Sequence, residues 1–155
     1  MKKIWWQSAG VSTSWGARYL VCGGFAIILA GYPRFTGDID LLIDTSLENE
    51  AKVFEALTIL PDQAVRDLAP GDVENYVVCR VGDEVTVDLM KAANGIGYSE
   101  AASEIVVREI QGVLIPFASP ELLWRMKRNT HREKDRPDLF FLRQWFEAKG
   151  INPPE

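Results

Sequence analysis

The sequence predicts a single α/β (α+β) domain over residues 1–155, in which short apolar strands alternate with helices. An apolar run at 19–22 leads through two glycines into a short apolar helix, and a second apolar run, 39–43, begins beside two aspartates. Residues 119–150 carry apolar side chains at helical spacing, which predicts C-terminal helices. With 155 residues, 47% of them hydrophobic, the chain can form one sizeable core.

The first elements form a strand, a short helix and a second strand. Tyr19–Cys22 is the first predicted strand, and the helix after it begins near Gly24 and ends near Gly31, a residue type that commonly ends helices. Pro33 lacks the backbone N–H that a longer helix would need. Ile39–Ile43 is a continuous apolar run, which is typical of a buried strand.

A second helix and a turn follow this strand. The stretch Thr45–Glu48 has the spacing of a capping box, with Thr45 as the cap. Apolar residues at helical spacing over 53–60 predict the helix body, and Pro61 ends it. A further short helix is predicted around Val65, before the turn at Pro70-Gly71.

Two hairpins are predicted in the second half of the chain. Tyr76–Val81 and Glu84–Met90 flank Gly82-Asp83, a pair of residues that favours a tight turn. Ile105–Ile110 and Val113–Ile115 flank a second turn. These hairpins add strands to the strand-helix-strand unit.

The last part of the chain is predicted to be helical. Ser119 is placed as a helix cap with Pro120 at the first helical position. Apolar residues over 139–146 form the stripe of a second amphipathic helix, which Gly150 ends.

Composition limits the classes of function. A net charge of −5 and a pI near 5.0 argue against a protein whose whole surface binds nucleic acid. Cys22 and Cys79 lie in apolar runs and are expected to be reduced and buried, as in a cytoplasmic protein. With the single histidine, His131, they cannot supply a four-ligand structural zinc site. No nucleophile-elbow sequence accompanies His131.

The sequence also bears on the location of the protein in the cell and on its N-terminal tail. Neither a secretory signal nor a membrane span is recognised, so we expect an intracellular, cytoplasmic protein without a membrane partner. Residues 1–16 are rich in tryptophan and show no clear period. They are interpreted as an irregular tail that packs on the body or on a second copy, or as an irregular start of the chain.

Three aspartates are the candidate catalytic and metal-binding residues. Asp38 and Asp40 are two residues apart at the start of a strand, so their side chains project to the same face. Asp88 lies within an apolar strand, where a charge is costly unless it is paired or binds a cation. If its strand neighbours that of Asp38 and Asp40, the three can hold two Mg²⁺ ions about 3.5–4 Å apart.

Five further residues are candidates for contact with a nucleotide. Gly23 and Gly24 allow close approach of backbone to phosphate at a helix start. Lys127 follows an apolar helical turn and could reach inward to a triphosphate, although a salt-bridged surface position is an equal alternative. Arg34 and Thr36 precede the acidic pair and could touch phosphate or simply shape the turn.

These motifs resemble the signature of the polymerase-beta-type nucleotidyltransferase superfamily. Val21-Cys22-Gly23-Gly24 and Arg34-Phe35-Thr36-Gly37-Asp38-Ile39-Asp40 match its glycine pair and acidic pair, and Asp88 matches its third aspartate. Within the superfamily the chain is similar to the small bacterial proteins related to the nucleotidyltransferase toxins of abortive-infection systems (AbiEii-like). The segments 123–127 and 134–138 are similar to the helices that follow the core in these proteins.

The resemblance implies a nucleotidyltransferase fold, with a mixed sheet flanked by helices, and Mg²⁺ as cofactor. It implies transfer of a nucleoside monophosphate from an NTP to a hydroxyl acceptor, which is a small molecule, a protein or RNA. A homodimer or a partner protein of a toxin–antitoxin pair is compatible with it. The chain departs from the pattern at Gly24, where the superfamily commonly has serine, and it lacks the large acceptor-binding domains of many relatives.

Two other functions stay open at this point. The same fold could bind a nucleotide or a partner protein without turnover. The same acids could also serve a metal-dependent phosphodiesterase, although such an enzyme has less use for the two glycines.

Overall fold

The computed structural model describes residues 16–154, which form a six-stranded mixed sheet, a two-stranded ribbon and helices packed around them. The predictions for the tryptophan-rich tail lie outside these residues, except for Gly16. The strands are β1 (Tyr19–Cys22), β2 (Asp38–Ile43), β3 (Cys79–Gly82), β4 (Thr86–Met90), β5 (Ala92–Ala93), β6 (Ile96–Gly97), β7 (Ile105–Ile110) and β8 (Val113–Ala118). The α-helices are α1 (Gly23–Ala30), α2 (Leu47–Leu57), α3 (Asp72–Asn75), α4 (Tyr98–Ala101), α5 (Pro120–Lys127) and α6 (Arg136–Lys149), with 3-10 turns at Ala64–Asp67 and Glu133–Asp135.

The order of the strands places β2 and β4 side by side in the large sheet. The order is β3-β4-β2-β1-β8-β7, with β2 parallel to β4 and β1 parallel to β8. The pairs β1–β2, β3–β4 and β7–β8 are antiparallel. This mixed sheet with its helices confirms the predicted fold class.

The core lies between the sheet and the helices. The side chains of Leu20, Ile27, Leu42, Leu122 and Phe146 belong to one buried cluster that joins β1, α1, β2, α5 and α6. Burial of apolar side chains of this size stabilises a fold by roughly 1.5–3 kcal/mol each. None of the helices described between residues 16 and 154 is long and apolar enough to cross a lipid bilayer.

The helix ends follow the predicted signals except in α2, which has a different cap and ends at Leu57, before the predicted end at Pro61. Gly31 ends α1 in a left-handed conformation, Gly150 ends α6 in the same way, and the Ser119 side chain accepts a hydrogen bond from the Leu122 N–H at the start of α5. The prediction that Thr45 caps α2 was wrong. Ser46 is the cap and accepts a hydrogen bond from the Asn49 N–H, because the helix begins one residue later than the capping box requires.

The hairpin of β3 and β4 forms, but its turn differs from the predicted Gly82-Asp83 pair. Gly82 pairs with Thr86, so the loop contains three residues, 83–85. The Asp83 carboxylate accepts hydrogen bonds from the backbone N–H groups of Asp62 and Ala64, which holds the longer loop against the preceding segment. Changing the loop length by one residue changes which side chains face each other across the strands.

Candidate active site

The acidic residues of β2 and β4 lie on one face of the sheet. Because the two strands are parallel and in register, Asp40 lies directly beside Asp88, and Asp38 lies beside Thr86. Side chains at i and i+2 of a strand share a face, so the three carboxylates project together. The condition that the strand of Asp88 neighbours that of Asp38 and Asp40 is met, although 48 residues separate Asp88 from Asp40 along the chain.

A cavity of about 550 Å³ opens over this face. Its lining combines carboxylates and cations with apolar side chains. The charged residues of the lining are Asp40, Asp88, Arg80, Lys127, Arg132 and Lys134, and the apolar residues include Val77, Val78, Met90, Leu123 and Met126. The cavity therefore has room and chemistry for a ligand with an anionic and an apolar part.

Arg80 binds two of the three aspartates. Its Nε and Nη2 atoms donate to Oδ1 and Oδ2 of Asp88 at 2.9 and 3.0 Å, and Nη2 also lies 3.3 Å from Oδ2 of Asp38. These hydrogen bonds and the neighbouring carboxylates raise the pKa of the Arg80 guanidinium above its already high value. We call Asp38, Asp40, Asp88 and Arg80 the acid site.

Asp40 is the carboxylate whose charge is least compensated. Burial, together with the charges of Asp88 and Asp38, raises its pKa to about 6, against a smaller opposing effect of Lys127 and Lys134. Crowded carboxylates of this kind are stabilised when a cation binds between them. The acid site thus favours a cationic ligand.

Gly23 makes room for the Asp40 side chain. Its φ is +65°, and a Cβ added there would lie 1.9 Å from Oδ2 of Asp40. Glycine is needed both for the left-handed backbone and for the close approach of the carboxylate. Gly23 lines the cavity, so the predicted position beside a ligand is compatible with this packing.

Gly24, Thr36 and Arg34 serve the packing of α1 against the loop before β2. A Cβ on Gly24 would lie 2.7 Å from the Thr36 side chain and 3.0 Å from an Arg34 nitrogen. The Thr36 hydroxyl donates to the Asp38 carbonyl oxygen at 3.3 Å, which shapes the turn into β2. The turn-shaping alternative therefore has direct structural contacts, whereas nucleotide contact by these three residues stays a prediction.

Lys127 reaches inward, as the sequence predicted, and it has two carboxylate partners there. Its Nζ lies 3.0 Å from Oδ1 of Asp135 and 3.2 Å from Oδ2 of Asp138, and all three side chains are buried. Arg34 contacts Asp138 from the other side at 2.9 Å, and Arg132 donates to Asp135 at 2.9 Å. We call these five residues the buried ion network.

The buried ion network holds the end of α5 and the start of α6 together beside the cavity. Asp138 lies in the first turn of α6, where a carboxylate also interacts favourably with the helix dipole. Hydrogen bonds from Arg132 and Thr130 and the charge of Lys127 lower the pKa of Asp135 despite its burial. Lys127 thus joins the end of α5 to the start of α6 while its side chain still borders the cavity.

Two residues considered in the sequence take no catalytic position. Burial raises the pKa of the Cys22 thiol to about 12, so it is not a thiolate at neutral pH. His131 is exposed and has a φ of +58°, because α5 ends at Lys127. Lys127 and His131, which are four residues apart, therefore do not share a helical face.

The donor set of the acid site fits a hard divalent cation, since carboxylate oxygens are the preferred ligands of Mg²⁺. In the conformation described for residues 16–154, no group of three acidic, histidine or cysteine side chains is arranged to hold a metal ion. Arg80 occupies the oxygens of Asp88 and one oxygen of Asp38 in that conformation. Metal binding by Asp38, Asp40 and Asp88 stays a prediction.

Arg80 is the residue of the acid site that the sequence reasoning missed. The register of β3 and β4 places it directly opposite Asp88. A hairpin with the predicted turn at Gly82-Asp83 does not bring these two residues face to face. The available signal was an arginine in one predicted strand, eight residues before an aspartate in the next. The two residues face each other only when the loop between the strands has three residues.

The comparisons with known proteins leave the function to the geometry of the site. The chain matches no protein-family model, and none of the curated proteins compared with it matches. Its structure is similar to the crystal structure of a candidate nucleotidyltransferase from Thermotoga maritima, with a TM-score of 0.47 and 17% sequence identity. The match covers 84% of this chain and 83% of that chain.

Proposed function

We propose that this protein is a Mg²⁺-dependent nucleotidyltransferase that moves a nucleoside monophosphate from an NTP to a hydroxyl acceptor. The observation that carries the proposal is the alignment of Asp40 with Asp88 on neighbouring parallel strands, with Asp38 on the same face and a cavity that Asp40 and Asp88 line. The resemblance of the glycine pair and acidic pair to the polymerase-beta-type superfamily supports it.

The acids would hold the cofactor and the acceptor. Mg²⁺ bound by Asp38, Asp40 and Asp88, as one or two ions, would neutralise phosphate charge and favour an acceptor alkoxide. Asp88 would take the proton of the acceptor hydroxyl while the hydroxyl oxygen forms a bond to the α-phosphorus of the NTP. The bond from that phosphorus to the bridging oxygen would break, and pyrophosphate would leave with the electron pair.

The lining of the cavity offers both kinds of contact that a nucleotide needs. The exposed Lys134 and Arg132 and the buried Lys127 are cations of this lining that suit a triphosphate. The apolar side chains of the lining, which include Val78 and Met126, suit a base or sugar face. Gly23 borders the cavity beside Asp40 and would allow close approach of the phosphates.

The acceptor and the cellular role follow from the resemblance alone. A toxin–antitoxin role in the cytoplasm, with a small molecule, a protein or RNA as acceptor, is the role that the AbiEii-like resemblance implies. A homodimer or a partner protein would then complete the acceptor site.

The test is label transfer by the full chain. We expect transfer from an α-labelled NTP to one fraction of a cell extract, separated into RNA, protein and small molecules, and we expect it to require Mg²⁺. Asp40→Asn should reduce the rate at least about 1,000-fold, because the substitution removes a metal-binding carboxylate. Asp44→Asn is the matched control, since Asp44 follows β2 directly and pairs with Arg18 instead. Transfer that persists in Asp40→Asn would refute the proposal.

One observation favours a second candidate, a binding module without turnover. Arg80 already provides a cation to Asp38 and Asp88, so these two carboxylates form ion pairs without a metal ion. In that case an NTP would raise the melting temperature of the protein, no label would be transferred, and Mg²⁺ would not change the result.

A further inference from the structure

Arg80 occupies the position in the acid site where a divalent cation would have to bind. It donates to both oxygens of Asp88 and touches Asp38, so that one guanidinium lies between the two carboxylates. Asp88 is only 6% exposed, and a carboxylate so buried is costly without a cationic partner. Without a metal ion, Arg80 is that partner.

A metal ion and Arg80 compete for the same oxygens. A guanidinium and a divalent cation held by one carboxylate would lie within a few ångströms of each other and would repel strongly. The fork geometry of arginine also engages both carboxylate oxygens at once, which leaves little of Asp88 for a second cation.

The position of Arg80 allows it to leave without disturbing the fold. Its side chain is 62% exposed and lies on β3, an edge strand of the sheet. Val81 and Cys79 beside it carry the buried contacts of this strand, whereas the Arg80 side chain contributes mainly its ion pairs. A long exposed side chain has other rotamers open to it once a second cation replaces its ion pairs.

From these contacts we infer that Arg80 is an internal counter-cation of the acid site, which a divalent ion displaces from Asp38 and Asp88 when it binds. This inference rests on the proposed function, because it assumes that the acids bind a metal ion. It adds that metal binding and the release of Arg80 are one event. Arg80 therefore lowers the affinity for the ion while it stabilises the metal-free protein.

The test measures binding of Mn²⁺ alone to the full chain, without nucleotide. Arg80→Met keeps most of the length of the side chain and removes the guanidinium, and we expect it to bind Mn²⁺ about tenfold more tightly than wild type. Arg80→Lys keeps the charge without the fork and should lie between the two. Arg108→Met is the matched control, since Arg108 is exposed on β7 at the opposite edge of the sheet.

A thermal measurement tests the second half of the inference. Metal-free Arg80→Met should melt at a lower temperature than wild type, and Mn²⁺ should raise its melting temperature by more than it raises that of wild type. Arg108→Met should match wild type in both measurements.

The outcomes separate this inference from the proposed function. If wild type binds Mn²⁺ and Asp40→Asn does not, while Arg80→Met binds with unchanged or weaker affinity, the displacement of Arg80 is refuted and the metal site stands. If neither wild type nor Arg80→Met binds Mn²⁺, both the inference and the metal dependence of the proposed function fail.

Discussion

The acid site and the buried ion network are built from the same types of side chain, but their charges are balanced in opposite ways. The acid site has three carboxylates and one guanidinium, which pairs with two of them, whereas the network has two carboxylates and three cations. The acid site faces a cavity, and the carboxylates of the network are at most 2% exposed. An excess of negative charge at a cavity indicates a place for a ligand cation, whereas a buried cluster with its charges paired indicates a structural role.

Lys127 shows why the surroundings matter more than the residue type. Both the lysine of the network and the arginine of the acid site lie near Asp40, and the charge of Lys127 opposes the rise in the pKa of that carboxyl. Lys127 is fixed by two buried carboxylates, while Arg80 is mostly exposed. We therefore expect substitutions in the network to change stability and substitutions in the acid site to change ligand binding.

The largest effect on stability is expected for Lys127→Met, which would break the network. The substitution leaves two buried carboxylates with one cation fewer and should lower the free energy of unfolding by about 3–5 kcal/mol, measured by urea denaturation. Lys134→Met removes an exposed cation at the same cavity and should change it by less than about 0.5 kcal/mol. A Lys127→Met protein as stable as wild type would contradict the structural role of the network.

A smaller effect is expected for Gly23→Ala, at the point where α1 meets the acid site. The added Cβ would clash with Oδ2 of Asp40 and would also be strained at a φ of +65°, so we expect a loss of about 2–3 kcal/mol and displacement of the carboxylate. Gly112→Ala separates the two causes, since Gly112 has a φ of +82° with no atom within 4 Å of the added Cβ. Equal losses in both proteins would show that the contact with Asp40 contributes nothing.

The pH dependence of stability should distinguish Asp40 from Asp135. Its pKa of about 6 in the folded protein exceeds the value of about 3.9 in an unfolded chain, so the folded state binds more protons between these values. Metal-free wild type should therefore gain on the order of 1–2 kcal/mol relative to Asp40→Asn as the pH falls from 7 to 5. Thermal unfolding of both proteins at the two pH values measures this difference, and a difference of opposite sign would contradict the raised pKa.

Asp135 should respond to pH in the opposite direction and in a lower pH range. Because the pKa of Asp135 is lowered in the folded protein, its stabilising contribution is present above the pKa of the unfolded chain and is lost as the pH falls below about 4. Measurements between pH 5 and 7 therefore report on Asp40 without interference from Asp135.

The smallest effect is expected for Asp44→Asn, which breaks an ion pair outside both clusters. Arg18 and Asp44 are 50% and 30% exposed, so their pair should contribute about 0.2–1 kcal/mol, and less at high salt. Urea denaturation in low and high NaCl measures this contribution. A loss as large as that of Lys127→Met would remove the distinction between exposed and buried pairs on which the comparison rests.

The candidate site was predictable as far as its residues lie on regular strands. The alternation of a strand places Asp38 and Asp40 on one face, and the apolar surroundings of Asp88 marked it as a charge that needs a partner. The helix ends at Gly31, Ser119 and Gly150 were also predictable, because capping depends on neighbouring residues.

The partners of Lys127 and Arg80 were not predictable in the same way. Lys127 contacts Asp135 and Asp138 because a 3-10 turn and α6 fold back on the end of α5. The spacing of apolar residues within a helix does not predict how the next helix packs against it. Arg80 meets Asp88 because Asp83 holds a three-residue loop through backbone groups of a distant segment. Both contacts depend on residues that local periodicity does not connect.

By itself, the sequence determined the fold class, most of the strands and helices, and the shared face of Asp38 and Asp40, because these depend on local spacing. Only the tertiary structure decided which strands are neighbours, that Asp40 lies beside Asp88, and that Arg80 lies across the acids. The physical reason is that strand order and register are set by packing over the whole sheet. A cation and a carboxylate that are far apart in sequence therefore become partners only in the folded chain.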